Sequence, residues 1–357
     1  MEAVVTGAAT PWTGRRVLVT GHTGFKGSWL SLWLHAMGAR VTGFALPPPT
    51  KPSLFAAARI AELVTHVEGD IRDAEALHRA VADSAPEVIF HLAAQPLVRL
   101  SYREPVETFA ANVMGTVHLL DAARRVRGIR AIVAVTSDKC YENREWIWPY
   151  RESDPMGGHD PYSSSKGCAE LVVSAWRNSF FAENGPLLAS ARAGNVIGGG
   201  DWADDRLVPD LIRALVAGDA PVIRSPASVR PWQHVLEALH GYILLAERLL
   251  AGERAFAEGW NFGPSDEDAR PVSWIVDRLH RHWGTAISAL GDGGPQPHEA
   301  NLLRLDSSKA RALLGWQPRL PLDAALGWIA EWHKALAAGD DARALTLGQI
   351  ARYADRR

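Results

Sequence analysis

The stretch from Val17 to Gly27 restricts this chain more than any other. Val17-Leu18-Val19-Thr20 is a short, apolar, β-branched run of the kind buried on both faces of a parallel sheet. Gly21-His22-Thr23-Gly24-Phe25-Lys26-Gly27 follows directly, and Ser28 to Met37 reads as an apolar-rich helix closed by Gly38. Glycines between strand and helix let the backbone approach a pyrophosphate, while the helix N-terminus offers free N–H groups and a partial positive charge. Gly21, Gly24, Phe25, Lys26 and Gly27 are the expected cofactor-binding cradle.

The alternation continues for almost 180 residues. Strands are expected at 40–45, 63–68, 87–92, 129–136 and 187–192, with helices reaching about Ala82 and spanning 105–127 and 161–181. Repeated strand–helix units argue for an α/β fold with a doubly wound parallel sheet. After Gly194 the texture becomes loopier. Helices are expected at 207–217, 235–250, 273–283, 307–314 and 322–336, with a short strand at 221–223 and another ending at Trp260-Asn261-Phe262. The expected organisation is a loose leader at 1–14, a dinucleotide domain at 15–193, a smaller, mostly helical C-terminal substrate lobe at 194–340, some of whose elements return to the first domain, and a tail at 341–357.

Composition narrows the function classes. The 357 residues are 47% hydrophobic and 22% charged, as in an ordinary globular protein. A net charge of −2 makes no global case for nucleic acid or an anionic membrane. Cys140 and Cys168 are too few for a disulfide framework, no His/Cys/Asp/Glu cluster has metal spacing, and no apolar run has membrane-spanning length. A cytoplasmic enzyme without a metal is the expectation.

Chemistry concentrates between Val135 and Lys166. Thr136-Ser137-Asp138-Lys139 closes an apolar run, and Tyr162-Ser163-Ser164-Ser165-Lys166 opens a helix. Tyr and Lys four apart share one helix face. An ammonium beside a phenol favours the phenolate, so Tyr162 is expected to have a lowered pKa and to act as a base.

The GxxGxxG spacing, the Tyr162–Lys166 pair and Ser137 together resemble the extended short-chain dehydrogenase/reductase superfamily, whose fold is Rossmann-type. Thr136-Ser137-Asp138-Lys139 further resembles the Thr-Asp-Glu segment of nucleotide-sugar 4,6-dehydratases, with Ser137 at the Thr, Asp138 at the Asp and Lys139 at the Glu. Lysine there departs from the dTDP-glucose and GDP-mannose enzymes and matches the branch acting on CDP-glucose. His91-Leu92-Ala93-Ala94-Gln95-Pro96-Leu97-Val98-Arg99, Arg192-Ala193-Gly194-Asn195-Val196-Ile197-Gly198-Gly199-Gly200-Asp201-Trp202 and Arg230-Pro231-Trp232-Gln233-His234-Val235 resemble that branch too. The similarity covers most of residues 15–320.

The resemblance implies NAD as cofactor and CDP-glucose as substrate, with another nucleotide-sugar 4,6-dehydratase or a 4-epimerase as alternatives. It implies catalytic roles for Ser137, Asp138, Lys139, Tyr162 and Lys166. Asp70 and Ile71 would meet the adenine, Leu92, Ala93 and Ala94 would line the turn over the cofactor, and Asn112 would support it. Gln95 and Arg99 would reach the sugar, Asn195, Arg230 and Arg206 the pyrophosphate, and Glu299 the ribose or base. Phe44-Ala45-Leu46 ends the second strand with no acid for the adenosine ribose, so the choice of NAD over NADP is not made there. A homodimer through the 105–127 and 161–181 helices, or a dimer of dimers, is also implied.

Overall fold

The computed structural model describes residues 10–223, 225–285, 290–291 and 302–356. Its centre is a parallel sheet. β1 (Arg16–Thr20), β2 (Arg40–Ala45), β3 (Thr65–Glu68), β4 (Val88–His91), β5 (Ala131–Val135) and β6 (Leu187–Ala193) are joined by the strand Gly259–Phe262. The order across the seven strands is 259–262, β6, β5, β4, β1, β2, β3. The order reverses at β1, so the crevice at the carboxyl ends of β1 and β4 is where such a sheet binds ligands. β4 and β5 are buried throughout, which explains why they read as continuous apolar runs.

Helices Phe25–Ala36 and Val235–Leu250 belong to the core on one face, with Trp29, Leu30, Leu239 and Leu245 fully buried. Leu77 and Leu119 pack on the other face, with Ile132 of β5. A third cluster, around Ile212, Ile275 and Ile329, forms the core of the C-terminal lobe. The seventh strand comes from the C-terminal half and pairs with β6 from Gly259↔Ser190 to Phe262↔Ala193. The lobe is therefore tied to the sheet at its edge.

Two expected boundaries change. Trp12, inside the expected leader, is fully buried, lies 5.9 Å from the Phe90 ring and donates to Glu247 Oε1 at 2.7 Å. The expected tail contains the helix Ala342–Ala354, whose Tyr353 is fully buried and donates to Glu237 Oε2 at 2.7 Å. Both segments are short and flanked by polar residues, so neither shows a periodicity that separates it from a linker. The expected 105–127 helix contains a π-helical turn, Ala110–Met114, between regular segments Pro105–Phe109 and Gly115–Arg125. Such turns recur at functional sites, and this one carries Asn112.

Candidate active site

The glycine cradle has the form expected of it. Gly21 sits at φ +75°, where a side chain is strained, and a Cβ would come within 2.7 Å of the Ala93 nitrogen. A Cβ on Gly27 would meet the Gly21 carbonyl oxygen at 2.1 Å. The helix starting at Phe25 has no side-chain cap, so its first N–H groups face the loop. These residues fit a dinucleotide pyrophosphate. Thr20 fastens the facing turn, its Oγ1 accepting from Ala93 N at 3.2 Å and its carbonyl from Leu92 N at 3.1 Å.

β5 delivers Ser137, Asp138 and Lys139 into the crevice, and helix Pro161–Ser179 delivers Tyr162 and Lys166. Asp160 caps that helix, accepting from Ser163 N at 2.9 Å, which fixes the turn bearing Tyr162. Ser137 hydrogen-bonds the Tyr162 phenol, and its Oγ also donates to Asp138 Oδ1 at 3.1 Å. The five residues expected to be catalytic thus form one cluster.

The electrostatics correct one expectation. Burial pushes the Tyr162 phenol up to about 12, against a lowering hydrogen bond from Ser137 and the charge of Arg206, rather than Lys166 drawing it down. Burial brings Lys166 down to about 8, while Glu170 and Cys140 hold it from falling further. Sequence spacing showed the pair but not that both partners are buried, and desolvation is the largest cause of both shifts. Asp138 is 3% exposed. Its burial raises the carboxyl above the ordinary range, against Lys139, Ser137 and Arg230, so it is biased toward the protonated acid.

Supporting residues divide into those brought to the cluster and those committed elsewhere. Arg206 bears on Tyr162 and Lys26 and lies 3.6 Å from Asp201. Arg230, on strand Val229–His234, bears on Asp138. Asn195 pairs in register with Trp232 beside it. Arg99 meets Asp205 at 3.5 Å. Lys26 sends its ammonium toward Lys166 and Asp138, and burial with the neighbouring cations lowers it to about 7.

Gln95, expected at the sugar, turns to protein: its Nε2 donates to Thr108 Oγ1 at 2.9 Å and to the Leu97 carbonyl at 3.1 Å. Asn112, expected among the cofactor residues, is a brace. It accepts from Gln95 N at 2.8 Å and donates to Ser165 Oγ at 2.9 Å, joining the loop after β4 to the Tyr162 helix. Ile71 is a core residue, and a Cβ on Gly115 would press on its Cδ1 at 2.5 Å. Asp70 accepts from Arg72 N and Nε, each at 2.8 Å, while Asp73 caps the following helix. Polar type and position alone do not say whether a side chain faces a ligand or its own loop. Glu299 lies outside the described residues.

Three residues were missed by the sequence reading. Tyr242, fully buried on helix Val235–Leu250, faces the cluster, with its hydroxyl 3.5 Å from Lys26 Nζ. Gly194 makes room for Asp138, because a Cβ there would lie 2.9 Å from Oδ2. Glu170 stands one helical turn beyond Lys166. Only Glu170 had a sequence signal, its spacing of four from Lys166. Among the described residues no group of three His, Cys, Asp or Glu side chains could hold a metal ion.

Comparison with known proteins agrees with this geometry. The family described as GDP-mannose 4,6 dehydratase matches residues 18–327. The chain belongs to this family. Within it, the chain is 58% identical to the CDP-glucose 4,6-dehydratase of Salmonella typhimurium over 96% of this chain and 97% of the relative. It is 29% identical to the UDP-glucose 4-epimerase of Mycolicibacterium smegmatis, over 89% and 98%. Among solved structures, MoeE5 in complex with UDP-glucose and NAD superposes with a TM-score of 0.76 at 25% identity, covering 90% of this chain and 99% of that one.

Proposed function

We infer that this chain is a hydro-lyase that converts CDP-D-glucose to CDP-4-keto-6-deoxy-D-glucose with NAD as cofactor. The observation that carries the reaction class is the buried, protonation-biased Asp138 set between Ser137 and Lys139 beside Tyr162. An epimerase needs the tyrosine and lysine but no acid to expel a hydroxyl. The sugar nucleotide is supported by the 58% identity to the Salmonella enzyme, and NAD by the MoeE5 complex together with the cradle.

The residues divide the work as follows. Tyr162 takes the proton of the C4 hydroxyl, and Ser137 hydrogen-bonds the C4 oxygen. Lys166 stabilises the phenolate and holds the nicotinamide ribose. The bound cofactor supplies the oxidant for C4 and the reductant for C6. The C4 ketone acidifies C5–H, and Lys139 serves either as the base that moves this proton or as the charge that stabilises the enolate and positions Asp138. Asp138 gives its proton to the leaving C6 hydroxyl, for which a raised carboxyl pKa is required. Asn195, Arg206 and Arg230 hold the diphosphate.

The apolar residues Val106, Phe109, Met114 and Leu171 are exposed on the helices read as a dimer face, which supports a homodimer. No helix among the described residues is long and apolar enough to cross a membrane. The test is a panel of CDP-, dTDP-, GDP- and UDP-hexoses scored for 4-keto-6-deoxy product. Turnover of CDP-glucose with solvent deuterium entering C5 is expected. Turnover of dTDP-glucose alone would overturn the substrate, and C4 inversion without deuterium would overturn the reaction.

A further inference from the structure

Beneath the catalytic residues lies a buried polar network that the mechanism does not use. Glu170 is 5% exposed. Its Oε2 accepts from Arg192 Nη2 and from Ser190 Oγ, each at 2.7 Å. Its Oε1 accepts from the Thr136 hydroxyl, the residue before Ser137. Arg192, on β6, donates through Nη1 to the Tyr141 hydroxyl at 2.6 Å, and Tyr141 donates to Asn261 Oδ1 at 2.8 Å. Thr136 and Tyr141 bracket Ser137, Asp138 and Lys139. Both ends of the catalytic turn are therefore bonded to one ion pair, 6% and 5% exposed at its side chains.

The carboxylate of that pair lies on the same helix as Lys166, one turn on and on the same face. We propose that Glu170, anchored by Arg192, is a positioning residue that locks the Ser137–Lys139 turn to the Tyr162 helix and supplies the counter-charge of Lys166. The proposal rests on the dehydratase reading and deepens it. Ser190 or Thr136 alone would satisfy a neutral side chain; the arrangement instead places a carboxylate one helical turn from Lys166, whose charged form burial opposes. Lys166, at about 8, is raised by Glu170 and Cys140. Lys26 from the glycine loop and His91 from β4, both cationic when charged, also bear on it. Of the two groups that raise Lys166, Cys140 is pushed up by burial, whereas Glu170 is held low against its own burial by Arg192 and the Thr136 and Ser190 hydroxyls.

The sign follows. Activity needs Lys166 charged, so it is lost as pH rises through the lysine's value. Removing the carboxylate charge lets that value fall, and the alkaline limb moves to lower pH. A unit charge about 6 Å away, the spacing of residues four apart on a helix, in a medium of effective dielectric near 20 shifts a neighbour by about two units. The experiment measures kcat/KM for CDP-glucose against pH, together with melting temperature, for wild type, Glu170→Gln, Glu170→Asp and the double variant Glu170→Gln/Arg192→Met. Glu170→Gln is expected to move the alkaline limb down by about two units, with a roughly fiftyfold loss at pH 8, and Glu170→Asp to restore most of it. The double variant removes the unpaired buried cation and so guards against misfolding; its limb is expected to stay shifted while its melting temperature recovers. A limb left at the wild-type position in the folded double variant, or losses that track melting temperature alone, would overturn the proposal. Wild-type protein without 4-keto product would instead overturn the dehydratase reading.

Discussion

Asp138→Asn separates the two halves of the reaction. The substitution keeps shape and keeps an acceptor for the Ser137 hydroxyl, 3.1 Å away in the structure, but removes the dissociable proton. Tyr162, Ser137 and Lys166 are untouched, so oxidation at C4 is expected to proceed. Elimination loses its general acid, worth about 10²–10⁴ in rate, or about 3–5 kcal/mol of barrier. In a stopped-flow trace the reduced-nicotinamide absorbance should rise on adding CDP-glucose and persist, while 4-keto-6-deoxy product falls by that factor. Stability should move the other way. Burial raises the folded carboxyl above its ordinary value of 3.8, so the folded state loses stability relative to the unfolded chain as pH rises from 3.8 to the folded value, and the loss is complete above it. The Asn variant carries no such cost. It should melt higher than wild type at neutral pH, and the difference should vanish as pH falls to 3.8 and below. Wild-type product formation, or loss of C4 oxidation with elimination spared, would refute the assignment of Asp138. Equal melting temperatures at neutral pH would refute the electrostatic part.

Other perturbations address other links. Lys139→Met should also leave reduced nicotinamide standing after substrate addition; full turnover in that variant would show that C5 is deprotonated by another group. Trp12→Ala empties a fully buried site and strands Glu247 Oε1, so urea unfolding should show a loss of about 3–5 kcal/mol; a loss below 1 kcal/mol would mean the segment frays in solution. Paired charges at the exposed apolar positions, Val106→Glu with Leu171→Glu, should give a monomer by light scattering with the fold retained, and an unchanged assembly would place the interface elsewhere.

Much of the fold was readable because its signals are local. β1 and the glycine loop announce themselves by side-chain size and branching, and parallel strands buried on both faces have to be apolar. Where packing decides, the reading slipped. Trp12 and the helix Ala342–Ala354 look like terminal segments until they are seen filling the core around Phe90 and Glu237. Gln95 and Arg99 are equally polar in sequence, yet Gln95 closes its own loop while Arg99 meets Asp205. The strand Gly259–Phe262 gives no local sign that it will cross back to β6.

The order strand–glycine turn–helix by itself determined a turn that fits a cofactor pyrophosphate, because Gly21 sits at φ +75° and a Cβ on Gly21 or Gly27 would run into backbone. The sequence likewise determined which groups could react, since Ser137, Asp138, Lys139, Tyr162 and Lys166 carry their chemistry in any fold. Their protonation was decided by tertiary structure alone. Desolvation raises Asp138 and Tyr162 and lowers Lys166, and a residue is desolvated by what packs over it: Arg192, Gly194 and Tyr242 come from 54 to 104 residues beyond Asp138, brought in by β6 and the residue after it and by the helix Val235–Leu250.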